Sequence, residues 1–282
     1  MADDDGLLRG RIIDQSVDLM RLASLLDAAP RTPSEYSLAN LYLYRARHSY
    51  RLVDGELPHL VGRTYDGATH VLPLCPLDED AAGHLLDGLD CIYPLEENEA
   101  RRLSASGRFR LDQRPEDGDY IYDTRKLAML EGAKAKRAQA AAFARLEPRL
   151  VSFDAKAAHA ILAEWLVGAA RGPDHADAHE CAEAIDCREA LGLSGVVVCL
   201  AAEPVAFLLA GPARGDERIV HFAKGRRSLA GAYPWMFSRY AQMAGTRLLN
   251  FEQDLGNAGL MQAKRALGPV AKAAKYRLRK VA

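Results

Sequence analysis

The longest apolar stretch of the chain, GVVVCLAAEPVAFLLAG at residues 195–211, is divided at Glu203-Pro204 into two runs of strand length. A membrane-spanning helix needs about 20 consecutive apolar residues, so the break predicts a buried β-hairpin and no integral membrane association. The run ERIVHFAKG follows a turn that contains Gly215 and extends the hairpin to three antiparallel strands. The second half of the chain is therefore predicted to contain a largely antiparallel sheet.

Apolar spacing and turn residues predict the elements around this three-stranded meander. They are helices at 157–166, 181–191, 232–243 and 258–267, with strands at 247–251 and 275–281. The first half repeats the order more faintly, which indicates an internal duplication. The predicted fold class is α/β, of the α+β type, with two lobes that each hold a mixed, mostly antiparallel sheet covered by helices. The predicted boundaries are 1–125 for the first lobe, 126–148 for a connecting basic helix, and 149–282 for a second lobe with the active site.

Charge is distributed unevenly along the chain. Residues 1–100 hold 8 basic and 18 acidic side chains, whereas the remainder holds 29 basic and 20 acidic ones. Seven basic residues follow Asp254 without any acidic residue, and seven more lie between Arg125 and Arg149. Such clusters are typical of a polyanionic partner, although a solvated helix face explains them equally well.

Composition predicts a cytoplasmic globular protein. The 282 residues are 49% hydrophobic, which is enough for a large core that needs no disulfide bond or metal ion for stability. The five cysteines are odd in number and lack C-x-x-C spacing, and the acidic N-terminus contains no apolar signal core.

The order of meander, helix, strand and helix resembles the GNAT fold, in which an acyl donor and an amine meet where two strands splay apart. In that fold a glycine-rich turn at a helix N-terminus binds the pyrophosphate of the donor. At the corresponding place this chain reads Arg227-Ser228-Leu229-Ala230-Gly231-Ala232, where one glycine is missing and another is displaced. An acyl-CoA donor therefore remains an alternative only.

Three segments carry a more specific resemblance. They are DYIYDTRKLAMLEGAKAKRAQAAAF from Asp119, PVAFLLAG with VHFAKG and GAY between Pro204 and Tyr233, and NFEQDLGNAGLMQAKRALGP with KY from Asn250 to Tyr276. Together with the weaker NLYLYR at 40–45, they resemble the C-terminal domain of bacterial phosphatidylglycerol lysyltransferases and its stand-alone relatives. The resemblance implies two tandem GNAT-like lobes and transfer of an aminoacyl group from aminoacyl-tRNA, with no further cofactor.

Four positions depart from the family pattern, namely Ala138, Ala223, Met261 and Ala266, where polar residues are usual. These losses favour a soluble small-molecule or peptide amine as acceptor instead of a lipid. Two alternatives stay open: an acyl-CoA-dependent N-acyltransferase, and a non-catalytic module that binds RNA or a nucleotide.

Aminoacyl transfer needs a base for the amine, stabilisation of the oxyanion, and a proton for the departing ribose hydroxyl. Glu252 and Asp254 lie two residues apart after a predicted strand, where paired carboxylates suit a base. Asp254 alternatively caps the next helix, and His221, the third catalytic candidate, is alternatively a packed strand residue. The predicted donor- and tRNA-binding residues are Lys134, Lys136, Arg137, Lys224, Arg227, Lys264, Lys272 and Lys275. The predicted pocket residues are Tyr120, Tyr122, Tyr233, Asn250 and Gln253.

One cluster has metal-binding residue types: His175, His179, Cys181 and Cys187. The cysteine spacing does not match a usual zinc site, so no metal is predicted.

Overall fold

The structure is a computed structural model that describes residues 10–13, 17–29, 31–167 and 177–281. The chain forms two compact units. The first consists of residues 1–118 and 274–282, and the second of residues 119–273.

The first unit contains β1–β6 and α1–α4. Their bounds are β1 Arg11–Ile12, α1 Val17–Ala28, α2 Leu38–Leu43, β2 Arg51–Val53, β3 His59–Arg63, β4 Thr69–Pro73, α3 Glu79–Leu85, β5 Cys91–Leu95, α4 Glu97–Leu103 and β6 Phe109–Gln113. The second unit follows with β7 Asp119–Asp123, α5 Thr124–Met129, α6 Lys134–Ala144, β8 Arg149–Ser152, α7 Ala155–Val167, α8 Ala178–Asp186, β9 Ser194–Leu200, β10 Glu203–Pro212, β11 Glu217–Gly225, α9 Ala232–Met243, β12 Leu248–Asn250, α10 Ala258–Arg265 and β13 Ala271–Ala273. The last strand, β14 Tyr276–Lys280, returns to the first unit.

The two units contain sheets of corresponding topology. The strand order is β1-β2-β3-β4-β5-β14-β6 in the first sheet and β8-β9-β10-β11-β12-β7-β13 in the second. The fourth and fifth strands form a parallel pair in each sheet, β4 with β5 and β11 with β12. The other pairings in both sheets are antiparallel. The sixth strand of each sheet is distant in sequence from the five before it: β14 joins the first sheet from the end of the chain, and β7 joins the second sheet from before α5 and α6. The predicted fold class and the internal duplication are thus confirmed.

The meander of the second unit has one strand more than predicted. Strand β8 pairs with β9 through Arg149↔Cys199 to Ser152↔Val196, and it lacks an alternating apolar pattern because it is an exposed edge. The turn between β9 and β10 lies at 201–202 instead of Glu203-Pro204, since Glu203 already pairs with Leu200.

The predicted connecting helix is interrupted and belongs to the second unit. Leu130 and Gly132 both have positive φ, which ends α5 and separates it from α6. The two helices pack against α9. The unit boundaries at 118 and 273 therefore differ from those predicted at 125 and 148, because residues 126–148 are part of the core of the second unit and the last strand is part of the first sheet.

The core of the second unit fills the space between its sheet and the helices α5, α6 and α9. Its largest members are Tyr120, Tyr122, Phe143, Trp235 and Phe237. Among the described residues, no helix has both the length and the apolar character that a bilayer crossing requires.

Candidate active site

The parallel strands β11 and β12 separate shortly after they meet. They pair only through Glu217↔Leu248 to Ile219↔Asn250, after which β12 ends and β11 continues to Gly225. Ligands of open sheets bind beyond the carboxyl ends of parallel strands that part in this way. The residues that follow Asn250 and those at 220–225 therefore border the candidate site.

His221 occupies a β-bulge in β11. Leu209 pairs with Phe222 and Ala210 with Val220, so His221 has no opposite residue on β10. Bulges of this kind redirect a side chain next to an active site. The buried imidazole Nδ1 lies 3.2 Å from a carboxylate oxygen of Glu252, whose side chain is 15% exposed. The structure thus brings together two of the three predicted catalytic residues.

The loop after β12 holds Glu252 in an unusual backbone conformation. Its φ of 56° lies in the left-handed region, which is costly for a residue other than glycine and is found at functional sites. The Glu252 N–H donates to the side-chain oxygen of Asn250 at 2.7 Å. The Asn250 amide in turn donates to Asp119 and Glu217, two carboxylates that the sequence did not single out. Burial raises the pKa of Glu217.

The side chain of Lys264 on α10 holds the same loop through hydrogen bonds to its backbone. Its ammonium donates to the backbone carbonyls of Phe251, Glu252 and Gln253 at 2.5, 3.1 and 2.7 Å. This differs from the predicted binding of a donor phosphate, because these carbonyls engage the buried ammonium. The backbone carbonyl of Lys264 accepts a hydrogen bond from Tyr122, at 2.7 Å.

Asp254 lies in a second polar group. Its carboxylate is 2% exposed and accepts hydrogen bonds from Tyr120 and Lys272, both at 2.7 Å, and from the N–H of Gly256. Burial opposes ionisation, but the hydrogen bonds from Lys272 and Tyr120 hold the pKa of Asp254 below its ordinary value. Asn257, and not Asp254, caps α10. Asp254 is therefore an ionised carboxylate that positions the partly exposed Lys272.

Tyr120 and Tyr122 are both buried, and burial raises the pKa of Tyr122 well above its usual range. They support the loop instead of forming an open wall as predicted. Gln253 contributes its carbonyl to Lys264, and its side chain is half-buried.

Lys224, Arg227 and Tyr233 gather at the end of β11 around Trp165 of α7. The Lys224 ammonium lies 4.1 Å and the Arg227 guanidinium carbon 5.2 Å from the centre of the Trp165 ring system. Burial raises the pKa of Tyr233 to about 12. The sequence pattern indicates Trp165 only as an apolar position of the helix predicted at 157–166, so its contact with these cations is visible only in the fold.

The turn before α9 does not resemble an open pyrophosphate cradle. Gly231 has a φ of 95°, and a Cβ at this position would lie 2.2 Å from the backbone oxygen of Gln139 on α6. The glycine is therefore required for close packing of α6 against the start of α9.

Three of the predicted donor- and tRNA-binding residues lie on or near α6, at the surface of the second unit. Lys134 and Arg137 are exposed and Lys136 is half-buried, and none of the three has an ion-pair partner among the residues the structure describes. We call them, together with the exposed Arg125, Lys126, Arg145 and Arg149, the basic face of the second unit.

Lys275 does not belong to such a surface. Its side chain is 1% exposed and forms an ion pair with Glu35 at 2.7 Å in the first unit. The predicted contact of Lys275 with tRNA is therefore wrong in this fold, because a charged partner of the chain already occupies the ammonium.

The cluster of His and Cys residues offers no metal site within the described part of the chain, where no group of three metal-ligating side chains converges. Cys181 is buried and His175 lies outside the described residues.

A sequence profile of the family described as phosphatidylglycerol lysyltransferase, C-terminal, matches residues 27–279. The chain belongs to this family. Membership confirms the resemblance predicted from the three motifs and places the chain among the acyltransferases, in the aminoacyltransferase class.

Solved structures share the fold of this family member. A conserved protein of unknown function from Bacteroides thetaiotaomicron is 22% identical with a TM-score of 0.83, over 97% of this chain and 100% of that one. L-PGS from Bacillus licheniformis is 14% identical with a TM-score of 0.66, over 97% and 93% of the two chains. FemX is 9% identical with a TM-score of 0.60, over 95% and 97%. No curated protein sequence matches the chain.

Proposed function

We propose that the protein is an aminoacyl-tRNA-dependent N-aminoacyltransferase that acts on a soluble small-molecule or peptide amine. The observation that carries the proposal is the contact between Glu252 and His221 where β11 and β12 separate. Glu252 belongs to the longest motif shared with the family, and its strained backbone is held by Asn250 and Lys264.

In the proposed reaction, the Glu252 carboxylate accepts a proton from the acceptor amine, and His221 orients the carboxylate. The amine nitrogen attacks the ester carbonyl of the aminoacyl-tRNA and forms the new C–N bond. The C–O bond to the terminal ribose then breaks, and the departing ribose oxygen takes up the proton from Glu252 and becomes a hydroxyl. Lys272, which Asp254 positions, supplies a partly exposed positive charge for the phosphates of the donor.

The basic face supports tRNA as the donor. Its exposed Lys and Arg side chains lie on and beside α5 and α6, in the unit that contains Glu252. Such a surface provides the sequence-independent attraction that phosphates require. The acyl-CoA alternative has less support, since the turn at Gly231 is filled by the backbone of α6.

The departures from the family pattern support a soluble acceptor instead of phosphatidylglycerol. Ala223 is partly buried and packs against the core of the second unit, where the family glutamate would present a charge. Ala138 and Ala266 are exposed. The proposed location is the cytoplasm, which the free thiols of all five cysteines support.

The test is incubation of the full protein with a panel of aminoacyl-tRNAs labelled in the amino acid, in parallel with labelled acetyl-CoA, in the presence of amine acceptors. We expect amine-dependent loss of the aminoacyl ester for at least one tRNA and no transfer from acetyl-CoA. Transfer from acetyl-CoA alone would overturn the donor. A parallel reaction with phosphatidylglycerol vesicles tests the acceptor, because lipid aminoacylation as fast as any soluble reaction would overturn that part.

A further inference from the structure

Trp165 and the residues around it form a partly exposed platform at the end of β11. The indole is half-buried and lies beneath the side chains of Lys224 and Arg227. Tyr233 lies against the same group, with its hydroxyl 3.5 Å from the carbonyl of Gly225. Flat aromatic surface combined with positive charge is the chemistry that proteins use for single-stranded nucleotides.

The basic side chains at this platform differ in whether a carboxylate already forms an ion pair with them. Lys224 is buried and pairs with Asp177, whereas Arg226 pairs with Glu164 and Glu203. Arg227 is exposed, and no carboxylate pairs with it within the ranges that the structure describes. Arg227 is therefore the cation of the platform that remains available to an external anion.

The platform also lies at a suitable distance from the reacting groups. Lys224 follows His221 by three residues on β11, which corresponds to roughly 10 Å along an extended strand. That separation is comparable to the length of one nucleotide. A nucleotide at the platform would thus place the ester on its ribose near Glu252.

From this arrangement we propose that Trp165 and Arg227 bind the 3′-terminal nucleotide of the tRNA donor. The base stacks on the Trp165 platform, and Arg227 contacts the phosphate that precedes it. The proposal rests on the proposed function, because it assigns a binding subsite to its donor. It adds a residue, Trp165, that recognises the end of the tRNA, in contrast to the basic face, which attracts the body of the tRNA.

Trp165 provides its own probe. The chain contains two tryptophans, and Trp235 is buried in the core beside Phe143. We expect intact deacylated tRNA to quench the fluorescence of the wild-type protein, whereas tRNA that lacks its terminal adenosine binds with little quenching. In Trp165→Phe the remaining signal comes from Trp235, and intact tRNA should no longer change it.

Variants test the same subsite by affinity. Removal of a stacking ring costs roughly 5- to 150-fold in nucleotide binding, so Trp165→Leu should weaken binding of intact tRNA by about this factor, and Trp165→Phe by less. Both should bind the trimmed tRNA as the wild type does. Arg227→Gln should weaken intact tRNA, and Arg226→Gln is the matched control, because it removes an equal charge that two glutamates already engage.

The outcomes separate the two proposals. If intact tRNA binds and is deacylated, but neither its terminal adenosine nor Trp165 affects binding or fluorescence, the subsite is wrong and the proposed function stands. If neither intact nor trimmed tRNA binds at all, the proposed function fails and the subsite fails with it. Thermal unfolding of each variant identifies any loss of binding that arises from loss of the fold.

Discussion

Glu252 combines the features expected of a base that is held ready for reaction. Its backbone conformation is costly, and its carboxylate is largely buried beside His221. Asn250 and Lys264 engage its backbone on either side, so the neighbours offset that cost.

Replacement of Glu252 by Gln should separate catalysis from binding. The amide keeps the shape of the carboxylate but cannot accept the proton, so turnover should fall by roughly 10²- to 10⁴-fold with nearly unchanged donor affinity. Single-turnover transfer and equilibrium tRNA binding measure the two effects. A variant with normal turnover would exclude Glu252 as the base.

His70 should make the first unit sensitive to acid. Burial, with smaller contributions from the charges of His48 and Arg277, lowers the pKa of His70 to about 3. The unfolded chain takes up a proton below about pH 6.5 that the folded chain excludes. The contribution of neutral His70 to the free energy of unfolding is therefore fully present above that pH, and it is lost as the pH falls towards 3.

The expected loss from His70 is about 2 kcal/mol between pH 7 and pH 5. Denaturant unfolding of the wild type and of His70→Phe over this range measures it. The difference in unfolding free energy between the two proteins should shift in favour of His70→Phe as the pH falls. A pH-independent difference would contradict the prediction.

The sequence predicts the residues of the candidate site better than their roles. The motif around Asn250 identifies Glu252, Asp254 and Lys264, but their partners lie far away in the chain. Tyr120 donates to Asp254 across 134 positions, and only the fold shows which ammonium groups such contacts occupy. For this reason Lys264 was expected to bind phosphate and instead supports a loop.

At the scale of elements, the packing of α6 against α9 depends on one glycine. Gly231 begins α9 with positive φ and lies against the backbone of Gln139. Any side chain here must displace backbone instead of a flexible side chain, which close-packed interiors resist.

Gly231→Ala should therefore destabilise the protein by more than about 3 kcal/mol, through strain and overpacking together. Gly245→Ala is the matched control, because Gly245 also has positive φ but has no atom within 4 Å of the added Cβ. That control should cost about 1 kcal/mol. Equal losses in the two variants, measured by denaturant unfolding, would show that packing against α6 adds nothing.

Elements with strong apolar patterns were predicted well from the sequence. The bounds of α9 agree with the prediction at 232–243. Strands β8 and β13 were missed because most of their side chains are exposed, so their pairing with neighbours leaves no apolar pattern. Their existence depends on the sheet that they join.

At the scale of the whole molecule, the uneven charge has an intramolecular explanation in part. The basic strand β14 lies in the sheet of the acidic first unit, where its side chains and that of the preceding Lys275 meet carboxylates. The ion pairs are Lys275 with Glu35, Arg277 with Asp66 and Asp117, and Lys280 with Asp87. These charges at the end of the chain thus stabilise the fold, whereas Lys272, which is 28% exposed, and the basic face remain available to a polyanion.

The Lys275–Glu35 pair, immediately before β14, should matter far more for stability than the exposed pair that Lys280 forms at the end of the strand. Lys275→Met leaves Glu35, whose side chain is only 13% exposed, without its cation and should cost about 3 to 5 kcal/mol. Lys280→Met, whose pair with Asp87 is exposed, should cost no more than about 1 kcal/mol. Denaturant unfolding at neutral pH compares the two, and similar losses would contradict this account of the strand.

The basic face, and not the C-terminal strand, should control the salt dependence of tRNA binding. Each phosphate contact releases counterions and adds about 0.7 to 0.9 to the slope of log affinity against log salt concentration. Neutralising Lys134 and Arg137 together, as Lys134→Gln with Arg137→Gln, should therefore lower the slope by about 1 to 2 and weaken binding at low salt. The double variant Arg279→Gln with Lys280→Gln removes the same charge from β14, where Lys280 is already paired with Asp87, and should leave the slope unchanged. Filter binding of tRNA at several salt concentrations measures both slopes, and a lower slope in the β14 variant alone would assign the tRNA surface to the C-terminal strand.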